Sequence, residues 1–276
     1  MFSVGHLLWI TISLFLIVFG LIFCRIRSPR WEDLVKCCFW LGLLSELVKI
    51  FSVTEILPIV EPVLSGASVS YEVSGTYSPY LENADLPFEL CSLQIPFYAL
   101  VIWCRDPKWK RRFTSLIFVT GIIGGTLGIL LAYIAPEHPT VRDFFTSPRA
   151  WQYFLYHAMV VTAGINAGFR RDSTVSLRDL KGVLAALASL DIITLYLNSI
   201  FSEPVYVSAK PVGLLYRANF FSSYVNPIGL VLTEKWQWIV YLIVRLLIAV
   251  ITILLLFLIQ NIFQKMKTLG KEMSRG

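Results

Sequence analysis

Charged side chains are scarce in this sequence, since only 15% of its 276 residues are Asp, Glu, Lys or Arg. Hydrophobic residues make up 56% of the chain, and the mean hydropathy is +0.68. The sequence also lacks a glycine-rich phosphate loop, zinc-ligand spacings and RNA-binding motifs. Because a soluble chain of this length is far more polar, the composition predicts a protein that crosses a membrane several times.

The net charge of +6 does not indicate a nucleic-acid-binding protein. The basic residues cluster in short segments between apolar runs, which is the distribution that marks the cytoplasmic ends of membrane spans. In contrast, residues 54–85 contain neither Lys nor Arg. This asymmetry predicts that the N-terminus lies outside and the C-terminus in the cytoplasm.

The apolar runs predict one all-α membrane domain over residues 1–276, a bundle of seven transmembrane helices. The predicted spans cover residues 6–24, 33–53, 86–104, 113–134, 150–169, 180–201 and 236–263. The first run has no basic region before it and no small-residue cleavage site after it, so we interpret it as a retained span. The long segment 202–235, rich in Tyr and Phe, is predicted to lie at the membrane interface as a lid.

Four closely spaced glycines in the fourth predicted span indicate tight packing against a neighbouring helix. They form two overlapping small-xxx-small pairs, a pattern that lets helix backbones approach closely in a membrane. The residues are Gly121, Gly124, Gly125 and Gly128.

The five cysteines are an odd number, which argues against a disulfide framework. Four of them, Cys24, Cys37, Cys38 and Cys104, lie near the basic ends of predicted spans. Cys91 alone lies near an opposite end and is predicted to be a free thiol.

The start of the third predicted span is unusually polar for a membrane helix. Asp85 is placed to cap this helix, and Pro87 suits its first turn. Such a helix would place Cys91 and Gln94 on one face and would point Glu89 away from Cys91.

A histidine of the fifth predicted span matches the depth of Cys91. Each of Cys91 and His157 lies six residues inside the outer end of its span, roughly 9 Å deep at the rise of an α-helix. A thiol can attack an acyl carbonyl while an imidazole takes and returns the proton. The two residues are therefore candidate catalytic groups.

Further polar residues within the predicted spans could support such a site, bind its substrate, or simply pair with one another. Polar residues are costly inside a membrane and usually mark a functional cavity or an ion network. Besides Gln94, the candidates are Glu46, Lys49, Asp191, Asn198 and Arg245. Glu46 and Lys49 have the spacing of a local ion pair. A rival interpretation is a small-solute transporter whose path is lined by Glu46, Asp191 and Arg245, and a third is a structural or sensory protein.

The segment from His138 to Asp143 has the H-x-x-x-x-D spacing of soluble-facing glycerolipid acyltransferases. It lies in a short proline-rich loop without the companion substrate-binding motifs, so we favour the Cys91–His157 pair.

Four segments of the chain resemble the YwaF-like bacterial membrane proteins and their animal relative, the transmembrane protein 164 family. They are Glu46-Leu-Val-Lys49-Ile-Phe, Leu86-Pro-Phe-Glu-Leu-Cys91, Tyr153-Phe-Leu-Tyr-His157 and Asn198 followed by Lys210-Pro211. The androgen-induced gene 1 family is more distantly similar, with a threonine in place of the cysteine.

The resemblance implies acyl chemistry on membrane lipids. It implies a phospholipid acyltransferase in which Cys91 is the nucleophile and His157 its base, with a lysophospholipid as acceptor. A lipid ester hydrolase with the same residues is the alternative. No cofactor, metal or nucleic acid is expected. The protein is expected in the cell membrane of a bacterium or an endomembrane of a eukaryote.

Overall fold

The helices of the structure follow the apolar runs of the sequence. The structure is a computed structural model that describes residues 3–65, 68–132, 140–170, 172–207, 210–216, 219–222 and 234–273. Its α-helices in chain order are α1 (Val4–Arg27), α2 (Trp31–Val53), α3 (Gln94–Trp103), α4 (Pro107–Leu130), α5 (Val141–Thr146), α6 (Pro148–Phe169), α7 (Leu180–Ile200) and α8 (Lys235–Met273). Each predicted span therefore overlaps a helix, and α5 is a short addition.

Four helices of the described part are long and apolar enough to cross a membrane by length and composition. They cover Val4–Arg27, Pro107–Leu130, Leu177–Ile200 and Lys235–Leu269. Of the other predicted spans, α2 and α6 are almost as long but more polar, and α3 has only 10 residues. Seven crossings and the orientation of the termini accordingly stay predictions.

Two antiparallel hairpins interrupt the helical chain, so the all-α prediction was incomplete. Strand β1 (Glu55–Ser65) pairs with β2 (Ser68–Tyr80), and β3 (Ser202–Val207) pairs with β4 (Lys210–Tyr216). The second hairpin occupies the first half of the segment predicted to be a lid. Residues 223–233 of that segment lie outside the described residues.

The third helix begins eight residues later than predicted, at Gln94. Pro96 explains the shift, because proline is tolerated in the first turn of a helix but not further inside. Leu86 is also extended, with ψ 147°, as expected for a residue before proline. Cys91 consequently lies in a turn, and Asp85 ends a 3₁₀ turn (Asn83–Asp85) instead of capping α3.

Local capping signals start the two helices that form the centre of the bundle. Asp106 accepts a hydrogen bond from the backbone N–H of Lys108 (2.8 Å), and Pro107 opens α4. Ser147 accepts from the N–H of Ala150 (3.3 Å), and Pro148 opens α6. Both starts combine a side-chain cap with proline at the first helical position.

The close approach of α4 and α6 confirms the packing predicted from the glycines. A Cβ on Gly121 would lie 2.9 Å from the carbonyl oxygen of Val160, and one on Gly164 would lie 2.9 Å from the amide nitrogen of Ile122. Backbone thus meets backbone, and α6 also packs against α1 and α2. The result is that α6 is buried along most of its length.

Substituting Gly121 by Ala should force α4 and α6 apart and lower stability by about 1–3 kcal/mol, as overpacking does. Thermal unfolding of the detergent-solubilised protein measures the effect. Gly182→Ala in α7 is the matched control, since a Cβ there meets nothing within 4 Å. Equal melting temperatures for the two variants would contradict the described helix packing.

Candidate functional site

A small cavity with several charged lining residues lies between the second half of α2, the turns of residues 85–92 and the first half of α6. Its volume is about 40 Å³, which is room for a few water molecules. Its charged lining residues are Glu46, Lys49, Asp85, Glu89 and Arg149, and it is also lined by Cys91 and His157. The two candidate catalytic residues thus lie around one cavity.

Cys91 is held against α6 through its backbone. The hydroxyl of Tyr156 donates a hydrogen bond to the carbonyl oxygen of Cys91 (2.9 Å). The thiol is half-buried and free. Since Tyr156 precedes His157 in the chain, this bond fixes the turn that carries the thiol to the helix that carries the imidazole.

His157 is buried, with 3% of its surface exposed, and its environment selects one tautomer. Its Nδ1 lies 2.7 Å from the carbonyl oxygen of Tyr153. A carbonyl accepts and cannot donate, so Nδ1 carries the proton in the neutral ring and Nε2 keeps a lone pair. That is the form a general base requires.

The imidazole ring packs against a glycine and a tyrosine. A Cβ on Gly128 would lie 2.3 Å from Nε2, so only glycine leaves space for the ring. The Tyr153 ring centroid is 4.2 Å from that of His157, and the Tyr153 hydroxyl donates to the Gly128 carbonyl (2.9 Å). These contacts fix the position of the ring.

Glu46 and Lys49 form the local ion pair that their spacing predicts. The Nζ of Lys49 lies 2.5 Å from a carboxylate oxygen of Glu46, and Lys49 is buried. Both side chains line the cavity, so the pair contributes adjacent opposite charges to its wall.

Arg149, which is not among the residues predicted for the site, forms a second ion pair at the cavity. Its guanidinium lies 3.0 Å from the carboxylate of Asp85 and donates to the side-chain oxygen of Gln152 (2.6 Å). Gln152 in turn donates to the hydroxyl of Ser45 (2.7 Å), so the network joins the turn, α6 and α2. The available signal was an arginine directly before the fifth predicted span, at the end that the charge pattern assigned to the outside.

Glu89 also lines the cavity, which contradicts the expectation that it points away from Cys91. The expectation assumed a helix, whereas residues 86–93 form turns in which alternate residues can face the same space. The Glu89 carboxylate accepts a hydrogen bond from the backbone N–H of Phe221 (3.4 Å).

Gln94 lies outside the cavity lining, although it is fully buried nearby. Its side-chain amide donates to the hydroxyl of Thr120, which ties α3 to α4. In the structure, Gln94 therefore joins two helices. Only its closeness to Cys91 in the chain connects it with the site.

Asp191, Asn198 and Arg245 are not among the lining residues of the cavity. Asp191 and Arg245 form an ion pair of 2.5 Å between α7 and α8. Asn198 both donates to the carbonyl of Phe220 (3.0 Å) and accepts from its N–H (2.9 Å). These residues surround a 3₁₀ turn (Phe220–Ser222) instead of Cys91.

That turn has an unusual backbone. Phe221 and Ser222 have φ values of 55° and 50°, in the left-handed region, which costs a non-glycine residue roughly 1–2 kcal/mol. Arg245 donates to the carbonyl of Phe221, and the hydroxyl of Tyr241 donates to that of Ser222 (2.5 Å). The surrounding side chains offset the cost of this conformation.

Asp143 of the H-x-x-x-x-D segment serves as a helix cap. Its carboxylate accepts from the backbone N–H of Thr140 (3.1 Å), while the Thr140 hydroxyl accepts from the N–H of Asp143 (3.2 Å). His138 lies outside the described residues.

Replacing Arg149 by Met should destabilise the protein by about 2–4 kcal/mol, because it removes the cation from a carboxylate that is only 15% exposed. The exposed pair of Glu32 and Lys110 (2.5 Å) provides the control, since Glu32→Gln should cost at most about 1 kcal/mol. Thermal unfolding of the two variants measures the loss of stability in each. A loss for Arg149→Met no larger than that of Glu32→Gln would show that the buried network does not hold the site together.

A family model matches the chain over residues 1–260, a range that contains the whole cavity. No curated protein and no solved structure matches it. The matched range covers nearly the entire chain and agrees with the resemblance carried by the segments around Cys91 and His157. The chain is an integral membrane protein that belongs to the TMEM164 family.

Proposed function

We propose that this protein is an acyltransferase that moves a fatty acyl chain from a phospholipid to a lysophospholipid. Cys91 is the nucleophile and His157 the general base. The observation that carries the proposal is that the thiol and the imidazole line the same cavity in a protein of the TMEM164 family.

The first half-reaction transfers the acyl group to the protein. His157 Nε2 takes the proton of the Cys91 thiol while the sulfur attacks the ester carbonyl of the phospholipid. The tetrahedral intermediate collapses with loss of the ester oxygen. That oxygen receives the proton from His157, so a lysophospholipid leaves and a thioester on Cys91 remains.

The second half-reaction runs in the opposite direction with a different lipid. The hydroxyl of the acceptor lysophospholipid gives its proton to His157 Nε2 and attacks the thioester. The C–S bond breaks, and the sulfur of Cys91 regains the proton. The new phospholipid leaves and the protein is unchanged.

Hydrolysis is the second candidate, favoured by one observation. The cavity beside Cys91 and His157 has room for water, and water in place of the acceptor hydroxyl would release a free fatty acid. The transporter interpretation has less support, because two of the residues assigned to its path, Asp191 and Arg245, lie outside the cavity lining.

The supporting residues then have distinct roles. Tyr156 positions Cys91 through its backbone carbonyl, and the Tyr153 carbonyl selects the tautomer of His157. Two ion pairs, Glu46 with Lys49 and Asp85 with Arg149, place charged groups in the cavity wall. Each pair has no net charge. Polar groups of this kind would contact the headgroup region of a lipid and leave its acyl chain to apolar surface.

Replacing Cys91 by Ala should abolish acyl exchange between a labelled phospholipid and a lysophospholipid in reconstituted vesicles, because no nucleophile is left. Mass spectrometry of the lipids measures the exchange. Cys37→Ala is the matched control, since Cys37 is an exposed cysteine away from the cavity. Undiminished exchange by Cys91→Ala protein would exclude the thiol as nucleophile.

Replacing Gly128 by Ala should displace the His157 ring without removing any catalytic group. A displacement of about 1 Å can cost two orders of magnitude in rate, so we expect acyl exchange to fall by about 10- to 100-fold. Gly182→Ala should retain the full rate, and retained labelling of Cys91 by a maleimide would verify the fold of the Gly128 variant. A wild-type rate in folded Gly128→Ala protein would mean that the position of His157 does not matter.

A further inference from the structure

The cavity is too small for the substrate that the proposed function requires. A volume of about 40 Å³ corresponds to a few water molecules, whereas a fatty acyl chain has many more atoms. The cavity must therefore widen before it can hold an acyl chain beside Cys91, and widening requires one of its walls to move. The walls of the cavity differ in how firmly they are held.

The wall formed by α6 is fixed by buried contacts. Its backbone lies directly against α4 at Gly121 and Gly164, and the His157 ring fills the space beside Gly128. Tyr156 holds Cys91, and Gln152 bonds to Ser45 of α2. Moving this wall would disrupt the core and displace the candidate catalytic groups themselves.

The wall on the side of Glu89 is held more loosely. Glu89 lines the cavity and also contacts the Phe220–Ser222 turn. Its carboxylate accepts a long hydrogen bond (3.4 Å) from the backbone N–H of Phe221. An edge-on contact between the rings of Phe88 and Phe220, with centroids 5.4 Å apart, lies beside it. Both are contacts of the turn with the 85–92 segment and can open without separating α4 from α6.

The turn is held by two peripheral helices of the bundle. Side chains of α7 and α8, namely Asn198, Tyr241 and Arg245, bond to its backbone. Only 17% of the apolar stretch of α7 and 11% of that of α8 are buried. Side chains of two loosely packed helices therefore hold the turn beside Glu89.

The backbone of the turn favours its movement away from Glu89. Phe221 and Ser222 are held at positive φ, a conformation that persists only where surrounding contacts impose it. When the contacts with Asn198 and Tyr241 break, the backbone of the turn can relax. Relief of this strain offsets part of the free energy needed to open the wall.

We propose that the Glu89 side of the cavity, with the Phe220–Ser222 turn packed behind it, is a movable wall of the site. This wall opens to admit the acyl chain of a lipid to Cys91 when the turn leaves Glu89. The inference rests on the proposed acyl transfer for the identity of its substrate. Asn198, Tyr241 and Arg245 are then positioning residues that set how often the wall is open, and this explains why they cluster around the turn and not around the thiol.

Labelling of Cys91 with thiol reagents of different chain length tests this proposal. Wild-type protein in lipid nanodiscs is treated with N-ethylmaleimide or with N-dodecylmaleimide, and the modified Cys91 peptide is quantified by mass spectrometry. Asn198→Ala should raise the rate with the long-chain reagent, relative to the small one, by about tenfold, the factor expected for the loss of two hydrogen bonds. Tyr241→Phe, which removes one hydrogen bond and alters the fold little, should raise it by about fivefold.

Gln260→Ala is the matched control, because it removes a buried hydrogen bond (2.8 Å, to the Val175 carbonyl) nearer the other end of α8. The ratio should stay at its wild-type value in this variant. An unchanged ratio in Tyr241→Phe, or an equal rise in Gln260→Ala, would overturn the movable wall. Because the labelling requires no acyl transfer, it tests the movable wall even if Cys91→Ala protein proves fully active in acyl exchange.

Discussion

The structure depends on the backbone contact between α4 and α6. Glycine at positions 121 and 164 lets the two helices approach until carbonyl and Cα atoms touch, and α6 becomes the most enclosed helix of the bundle. Its first half nevertheless carries Arg149 and His157, which would be costly there without partners. Because α6 packs so closely against its neighbours, its polar residues need charged or hydrogen-bonding partners. These partners lie around the cavity.

Two polar clusters result, and they have different consequences. The first surrounds Cys91 and His157 and is tied into the core by ion pairs and by Tyr156. The second surrounds the Phe220–Ser222 turn and belongs to α7 and α8, which lie mostly outside the core. Glu89 joins the two clusters through a single long hydrogen bond. A rigid site beside a loosely attached wall is an arrangement suited to a reaction on membrane lipids.

The apolar runs were sufficient to predict the helices, and the spacing of the glycines predicted their close contact, because both are local features of the sequence. The matching depth of Cys91 and His157 was calculated for a helix that begins near Pro87, whereas Cys91 lies in a turn. The late start at Gln94 follows from Pro96, which is tolerated only in the first turn of a helix. The partners of Arg149, Asp191 and Asn198 were not predictable, because pairing over long sequence separations depends on how the helices are arranged. The hairpin of residues 55–80 had a detectable signal in its alternating β-branched and aromatic residues.

Cys91 and His157 are proposed to form one reaction centre for acyl lipids, and peptide mass spectrometry of purified protein incubated with a phospholipid and no acceptor tests this most directly. We expect the mass of a fatty acyl group on the Cys91 peptide, removable by hydroxylamine and strongly reduced in His157→Gln protein. Acyl groups that are absent from Cys91 in an actively exchanging protein, or that form on it equally fast without His157, would exclude this reaction centre.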